Sequence, residues 1–146
     1  MPPARRLVHS DFLGGDWVIL DRAGKAVGKS HIEVQLPGAI VFERRTDATG
    51  ILLVWFVNSE AKGGWVQLFP DPAASLREFD PQSKPGEWPM ILGSHVTVRD
   101  GRSAKFRLTI ARASDNDSHR LLEMSTDLGK SWSPVFDYRY VRAKRP

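Results

Sequence analysis

The chain contains no cysteine, which removes disulfides, thiolate metal sites and a thiol nucleophile at once. It also lacks a long apolar run. The longest, Ile51 to Val57, falls far short of the about 20 residues that a membrane-spanning helix needs. Arg5 and Arg6 stand near the start, but no apolar stretch follows them. The head therefore does not read as a signal peptide, and a cytoplasmic protein without a membrane partner is expected. Sustained helical periodicity is scarce as well, and that scarcity points to the fold.

A concentrated basic face is missing too. The net charge is +4, from 21 basic and 17 acidic residues. Six of the basic residues sit at the ends: Arg5, Arg6, Arg139, Arg142, Lys144 and Arg145. Without them the body holds fifteen bases against seventeen acids, interspersed along the chain. Nucleic-acid binders gather their positive charge where it can neutralise several phosphates. Basic ends like these read as solubilising tails, and no nucleic-acid partner is expected.

What is present is a succession of short apolar-rich runs separated by Gly, Pro, Asp and Asn. At 146 residues the chain suits a single domain over 1–146 with its own core. In Lys105 to Ala111, Phe106, Leu108 and Ile110 alternate with Lys105, Arg107 and Thr109, as a half-buried strand requires. Val96 and Val98 alternate in the same way, and Asp100-Gly101 marks a hairpin between the two segments. Trp88 to Leu92 and His95 to Arg99 read as separate strands. Such spacing predicts an all-β antiparallel meander closed into a barrel or sandwich. Ser10 to Gly14 carries the caps of one helical turn before the first strand. Asp71 to Glu78 has the cap and proline of a short helix, while the surrounding meander favours a hairpin there.

Ser125-Thr126-Asp127-Leu128-Gly129-Lys130-Ser131-Trp132 is the most patterned stretch. It follows S-x-D-x-G-x-S-W, the Asp-box signature of sialidases and other β-propellers. A single copy in a chain of this length cannot build a propeller. Each residue has a duty in a turn instead: Asp127 accepts amide hydrogen bonds, Gly129 supplies a left-handed conformation, and Trp132 folds over the loop.

Two further blocks carry a resemblance. Gly15-Asp16-Trp17 resembles the G-x-W motif that opens the first strand of lipocalins and related calycin barrels. Glu123 to Trp132, followed by Phe136-Asp137-Tyr138-Arg139-Tyr140-Val141-Arg142, is similar to the close of a large bacterial family of lipocalin-like barrels. There the pattern is approximately E-x-S-x-D-G-G-K-T-W, then F-D-x-x-Y-x-R. Gly38 to Glu43 and Trp65-Val66-Gln67 match its middle more loosely. Leu128 departs from the pattern, standing where the family has a glycine. The resemblance implies an up-and-down antiparallel lipocalin-like barrel of about 8–10 strands. It also implies an interior that binds small, largely apolar molecules. In lipocalins the first-strand tryptophan lies under an arginine from the last strands, a part open here to Arg142 or Arg139.

Within such a barrel, alternate positions point inward. Trp65 and Gln67 share one face of their segment, and Trp55 shares a face with Leu53 and Val57. Two tryptophans, an amide and a carboxylate are the mix of a ligand pocket; the same aromatics would also fill a small barrel. Glu43 and Glu123 stand mid-strand among apolar residues and need partners. His31 is one candidate. A His31–Glu43 pair would make an acid–base couple, or equally a satisfied structural pair. Arg45 and Arg107 could pair with these acids or receive an anionic head group, as in fatty-acid-binding barrels.

The ligand-site residues expected are thus His31, Glu43, Arg45, Trp55, Trp65, Gln67, Arg107 and Glu123, with a small hydrophobic or amphipathic molecule as partner. The alternative is a cyclase, isomerase or hydrolase using His31, Glu43 or Glu123 as acid and base in the same cavity. A homodimer paired along a barrel edge also fits the composition. His9, His31, His95 and His119 lie apart without an H-x-H or H-x-x-x-H pair, so no metal site is expected. Neither a nucleophile elbow nor a phosphate-binding glycine loop appears, and no cofactor is expected.

Overall fold

The computed structural model describes residues 12–70, 76–84, 87–97 and 101–144. Ten strands follow one another along the chain: β1 (Gly15–Leu20), β2 (Ala26–Leu36), β3 (Ile40–Asp47), β4 (Gly50–Ser59), β5 (Gly64–Pro70), β6 (Leu76–Pro81), β7 (Met90–Thr97), β8 (Ser103–Ser114), β9 (Asp117–Ser125) and β10 (Ser133–Arg142). Each pairs antiparallel with its neighbour in sequence, and β1 closes on β10 through Trp17 to Leu20. The result is a closed up-and-down β-barrel, as the alternation predicts. Closure satisfies the backbone groups that an open sheet would leave at its edges.

Turn chemistry sets the corners. Between β1 and β2, the Asp21 carboxylate accepts hydrogen bonds from the Ala23 and Lys25 amides, both at 2.9 Å. Gly24 supplies the positive φ of 83° that this tight return needs.

One expectation changes, and two others fall only in part on the described residues. The segments 88–92 and 95–99 are not two strands: Met90 to Thr97 runs as one, β7, paired with β8 from Met90↔Ile110 to Thr97↔Ser103. Gly93, between them, does not turn the chain; its missing side chain leaves room for Gln82 to lie across it. The rest of the second segment and Asp100 lie outside the described residues. In the stretch 71–79, Leu76 onward is strand β6 paired with β5, while 71–75 lie outside the described residues. Of the expected helical turn over 10–14, only Phe12 and Leu13 show 3₁₀ geometry, and 10–11 lie outside the described residues.

One end of the barrel is plugged. Leu13, Trp17, Ile19 and Tyr140 are each about 1% exposed; burying an aliphatic side chain such as Leu13 or Ile19 contributes roughly 1.5–3 kcal/mol. The Trp17 indole donates to the Leu13 carbonyl at 2.8 Å. Over its ring, at 4.3 Å from the centroid, lies the guanidinium of Arg142, a stack worth about 1 kcal/mol. Arg142 also donates to the Gly14 and Phe12 carbonyls, both at 2.7 Å, which pins the chain across the barrel base. Arg139, the other candidate for this part, instead grips Asp117 on the outer surface.

Candidate functional site

The interior above the plug is built by alternation on β3, β9 and β10. Val41, Glu43 and Arg45 point inward from β3, and Ser118, Arg120 and Leu122 from β9. Tyr140 joins them from β10 and Ser30 from β2. Register brings these rows together: Ser30 stands opposite Arg45 and Ile32 opposite Glu43, while Arg120 stands opposite Ile110 on one side and Tyr138 on the other.

Glu43 is 1% exposed, and its carboxylate is fully engaged. One oxygen, Oε1, accepts from Arg120 Nη1 at 2.6 Å. The other, Oε2, accepts from Ser30 Oγ at 2.7 Å and from the Tyr140 hydroxyl at 3.0 Å. Burial pushes the carboxyl toward its neutral form, but the charge of Arg120, the Ser30 hydroxyl and the charge of Arg45 together outweigh it. Glu43 is therefore held below the usual carboxylate range and ionised. Burial raises the Tyr140 phenol well above its ordinary value, so it stays a neutral donor.

Arg120 is 2% exposed and lies on the Tyr140 ring at 4.0 Å from its centroid. Only Nη1 is spent on Glu43; Nε and Nη2 have no hydrogen-bond partner among the described residues, and neither does Nε of Arg45. Arg45 lies 5.5 Å from the Phe136 ring centroid. A buried guanidinium needs its remaining donors satisfied to offset desolvation, so the free edge of Arg120 calls for a partner.

These groups line a cavity of about 170 Å³ inside the barrel, with Glu43, Arg45, Gln67 and Arg120 as its polar part. Leu52, Val54, Phe69, Phe79, Leu122 and Phe136 form apolar walls. A larger depression of about 920 Å³ lies at β6 to β8, lined by Asp80, His95, Trp132 and the edge of Phe106. It is an open surface groove; the cavity inside the barrel, partly open at its rim, is the better-built site despite its smaller size.

No family model and no curated protein matches the chain.

Of the eight residues expected around the ligand, Glu43, Arg45 and Gln67 line the cavity. Trp65 is inside and 3% exposed, but it packs near Met90 and Leu92, away from these walls. The other four point outward. Trp55 faces out and packs on Phe42, ring centroids 5.1 Å apart. Residues 51–57 are apolar on both faces, so pattern alone cannot choose the inner one. The register does: Phe56 stands opposite Gln67, and Trp55 opposite Leu68.

His31 lies between inward Ser30 and Ile32 and is thus outward and half exposed. Its Nδ1 meets Asp16 at 2.7 Å and its Nε2 meets Glu33 at 3.1 Å. The expected His31–Glu43 couple is not formed, because the two side chains are on opposite faces of the barrel wall. Arg107 and Glu123 pair with each other on the outer face, at 3.2 Å from Nε and 3.0 Å from Nη2. The Trp132 ring covers Arg107, with 4.2 Å from guanidinium to centroid. Leu121 and Leu122 leave the inner face of β9 ambiguous in sequence, and the inner one is Leu122, with Arg120.

Arg120, Tyr140 and Ser30 are the site residues that sequence reasoning missed. One signal for Arg120 was available. Once Phe106, Leu108 and Ile110 are taken as inward, hairpin pairing carries Leu108 onto Leu122 and Ile110 onto Arg120.

The patterned stretch before Trp132 is a turn, as its residue types require. Asp127 accepts from the Ser131 amide at 2.8 Å, from the Ser131 hydroxyl, and from Ser125 Oγ at 2.8 Å. The Ser131 hydroxyl and amide bonds, with Ser125, hold its carboxyl at about 2. Among the described residues no group of three His, Asp or Glu side chains is arranged to hold a metal ion.

Proposed function

We propose that this protein is a lipocalin-like binding barrel whose interior cavity holds a small amphipathic molecule. The observation that carries the reading is a buried guanidinium with idle donors at the wall of a cavity that is mostly apolar. A barrel packed for stability alone would close protein groups around a buried guanidinium rather than keep a cavity beside its free edge. Apolar walls with a few orienting polar groups are the usual composition of a small-molecule site.

The acid–base alternative has no comparable support. His31 is on the outer surface, Glu43 is tied to Arg120, and Glu123 is tied to Arg107. Native mass spectrometry of the full chain purified from its own host tests the binding reading. A retained small molecule, released on denaturation and absent from a variant with the cavity filled by Val54→Phe, is expected. A bare protein mass, together with no binding of any small apolar probe, contradicts it.

A further inference from the structure

Resting on the cavity reading above, we infer that the ligand is a small carboxylate with a ring-sized apolar body, read by the free edge of Arg120. Three observations lead there.

The first is the shape of what is left unpaired. Arg120 uses Nη1 for Glu43 and leaves Nε and Nη2 idle. Those two nitrogens form one edge of the planar guanidinium, the two-pronged face that matches the two oxygens of a carboxylate. The same protein shows this edge in use: Arg139 holds both oxygens of Asp117 through Nε and Nη2, at 2.6–3.0 Å.

The second is charge. The cavity wall holds one carboxylate, Glu43, and two guanidiniums, Arg45 and Arg120, so its titratable groups leave one positive charge. Arg45 is partly exposed and also lies in the field of Asp47, so the buried share of the excess charge falls on the free edge of Arg120, where a monoanion is favoured over a neutral guest. Arg45 adds a further idle donor, its Nε.

The third is size. At about 170 Å³ the cavity is close to the ~150 Å³ apolar cavity known to accept benzene. The walls are aliphatic and phenyl side chains, suited to a ring or a short branched chain. A long alkyl chain does not fit within this volume. The ligand class is therefore an aryl or short branched-chain carboxylic acid, bound as its anion.

The test is isothermal titration of the full chain at neutral pH with benzoate, its neutral isostere benzamide, benzene, and dodecanoate. Benzoate is expected to bind at least about tenfold more tightly than benzamide, in keeping with the strength of charge-assisted pairing, and more tightly than dodecanoate. Arg45→Met, at a partly exposed position that leaves the Glu43–Arg120 bond in place, is expected to weaken benzoate severalfold relative to benzene. Equal affinity for benzoate and benzamide overturns the carboxylate inference while leaving the cavity reading standing. Tighter binding of dodecanoate overturns the size assignment. If none of the four probes binds, both the inference and the cavity reading fall.

Discussion

Glu43 Oε1 and Arg120 Nη1 lie 2.6 Å apart inside the barrel, although 77 positions separate the residues in sequence. Strand β3 and strand β9 are not neighbours in the sheet, so this pair spans the interior and ties opposite walls. It also fixes which donors of Arg120 remain for a ligand. Removing either partner leaves a buried charge without its match. Glu43→Met and Arg120→Met should each cost about 3–5 kcal/mol in urea denaturation. The double variant should cost less than the sum of the two by about 1–3 kcal/mol. Strict additivity would show that the two charges do not depend on each other.

Acid should expose the same pair. Glu43 has its carboxyl lowered from the ordinary 4.5 in the folded state. A depressed carboxyl contributes stability that is present above the unfolded value and lost as pH falls below it toward the folded value. Unfolding free energy of the natural chain should thus decline below about pH 4.5 more steeply than that of Glu43→Gln, which has no proton to gain. Parallel curves for the two proteins would remove Glu43 from the acid response.

His31 titrates on the outside and in the opposite sense. Hydrogen bonds to Asp16 first, and to Glu33, raise it above 6.5. Its stabilising effect is complete below 6.5 and disappears as pH rises through the folded value. Since the ring is half exposed, the readout is an NMR titration of the imidazole rather than stability. Asp16→Asn should bring the midpoint back toward 6.5; an unmoved midpoint would mean that Asp16 does not set it.

Leu128 occupies the left-handed region at φ 61° and is 67% exposed. A leucine there is strained by its Cβ, and it buries little in return. Leu128→Gly should raise stability by about 0.5–1 kcal/mol, the relief of strain exceeding the extra chain entropy that glycine loses on folding. A lower thermal midpoint for the variant would assign this leucine a packing role that its exposure does not show.

Strand positions and the closed meander were legible because Gly, Pro and Asp punctuate the chain where corners fall. The inner face was legible only where one face is polar. In β8 the alternation of Phe106, Leu108 and Ile110 with charged neighbours gave the right answer. In β4, with Leu52 beside Leu53, both faces are apolar; in β9, with Leu121 beside Leu122, each face mixes apolar and polar residues. There a one-residue shift exchanges inside for outside. That is why Trp55 and Glu123 were expected inside and Arg120 was not. The partner of Glu43 was unreadable for a different reason: it depends on barrel closure, which brings together strands that never pair.

The most direct measurement is a crystal structure of the full chain grown with 4-bromobenzoate, located by the anomalous signal of its bromine. One bromine peak is expected among Phe69, Phe79 and Phe136, with the carboxylate spanning Nε and Nη2 of Arg120. A peak confined to the outer groove near Trp132, with the interior closed and Arg120 bonded to other protein groups, would contradict it.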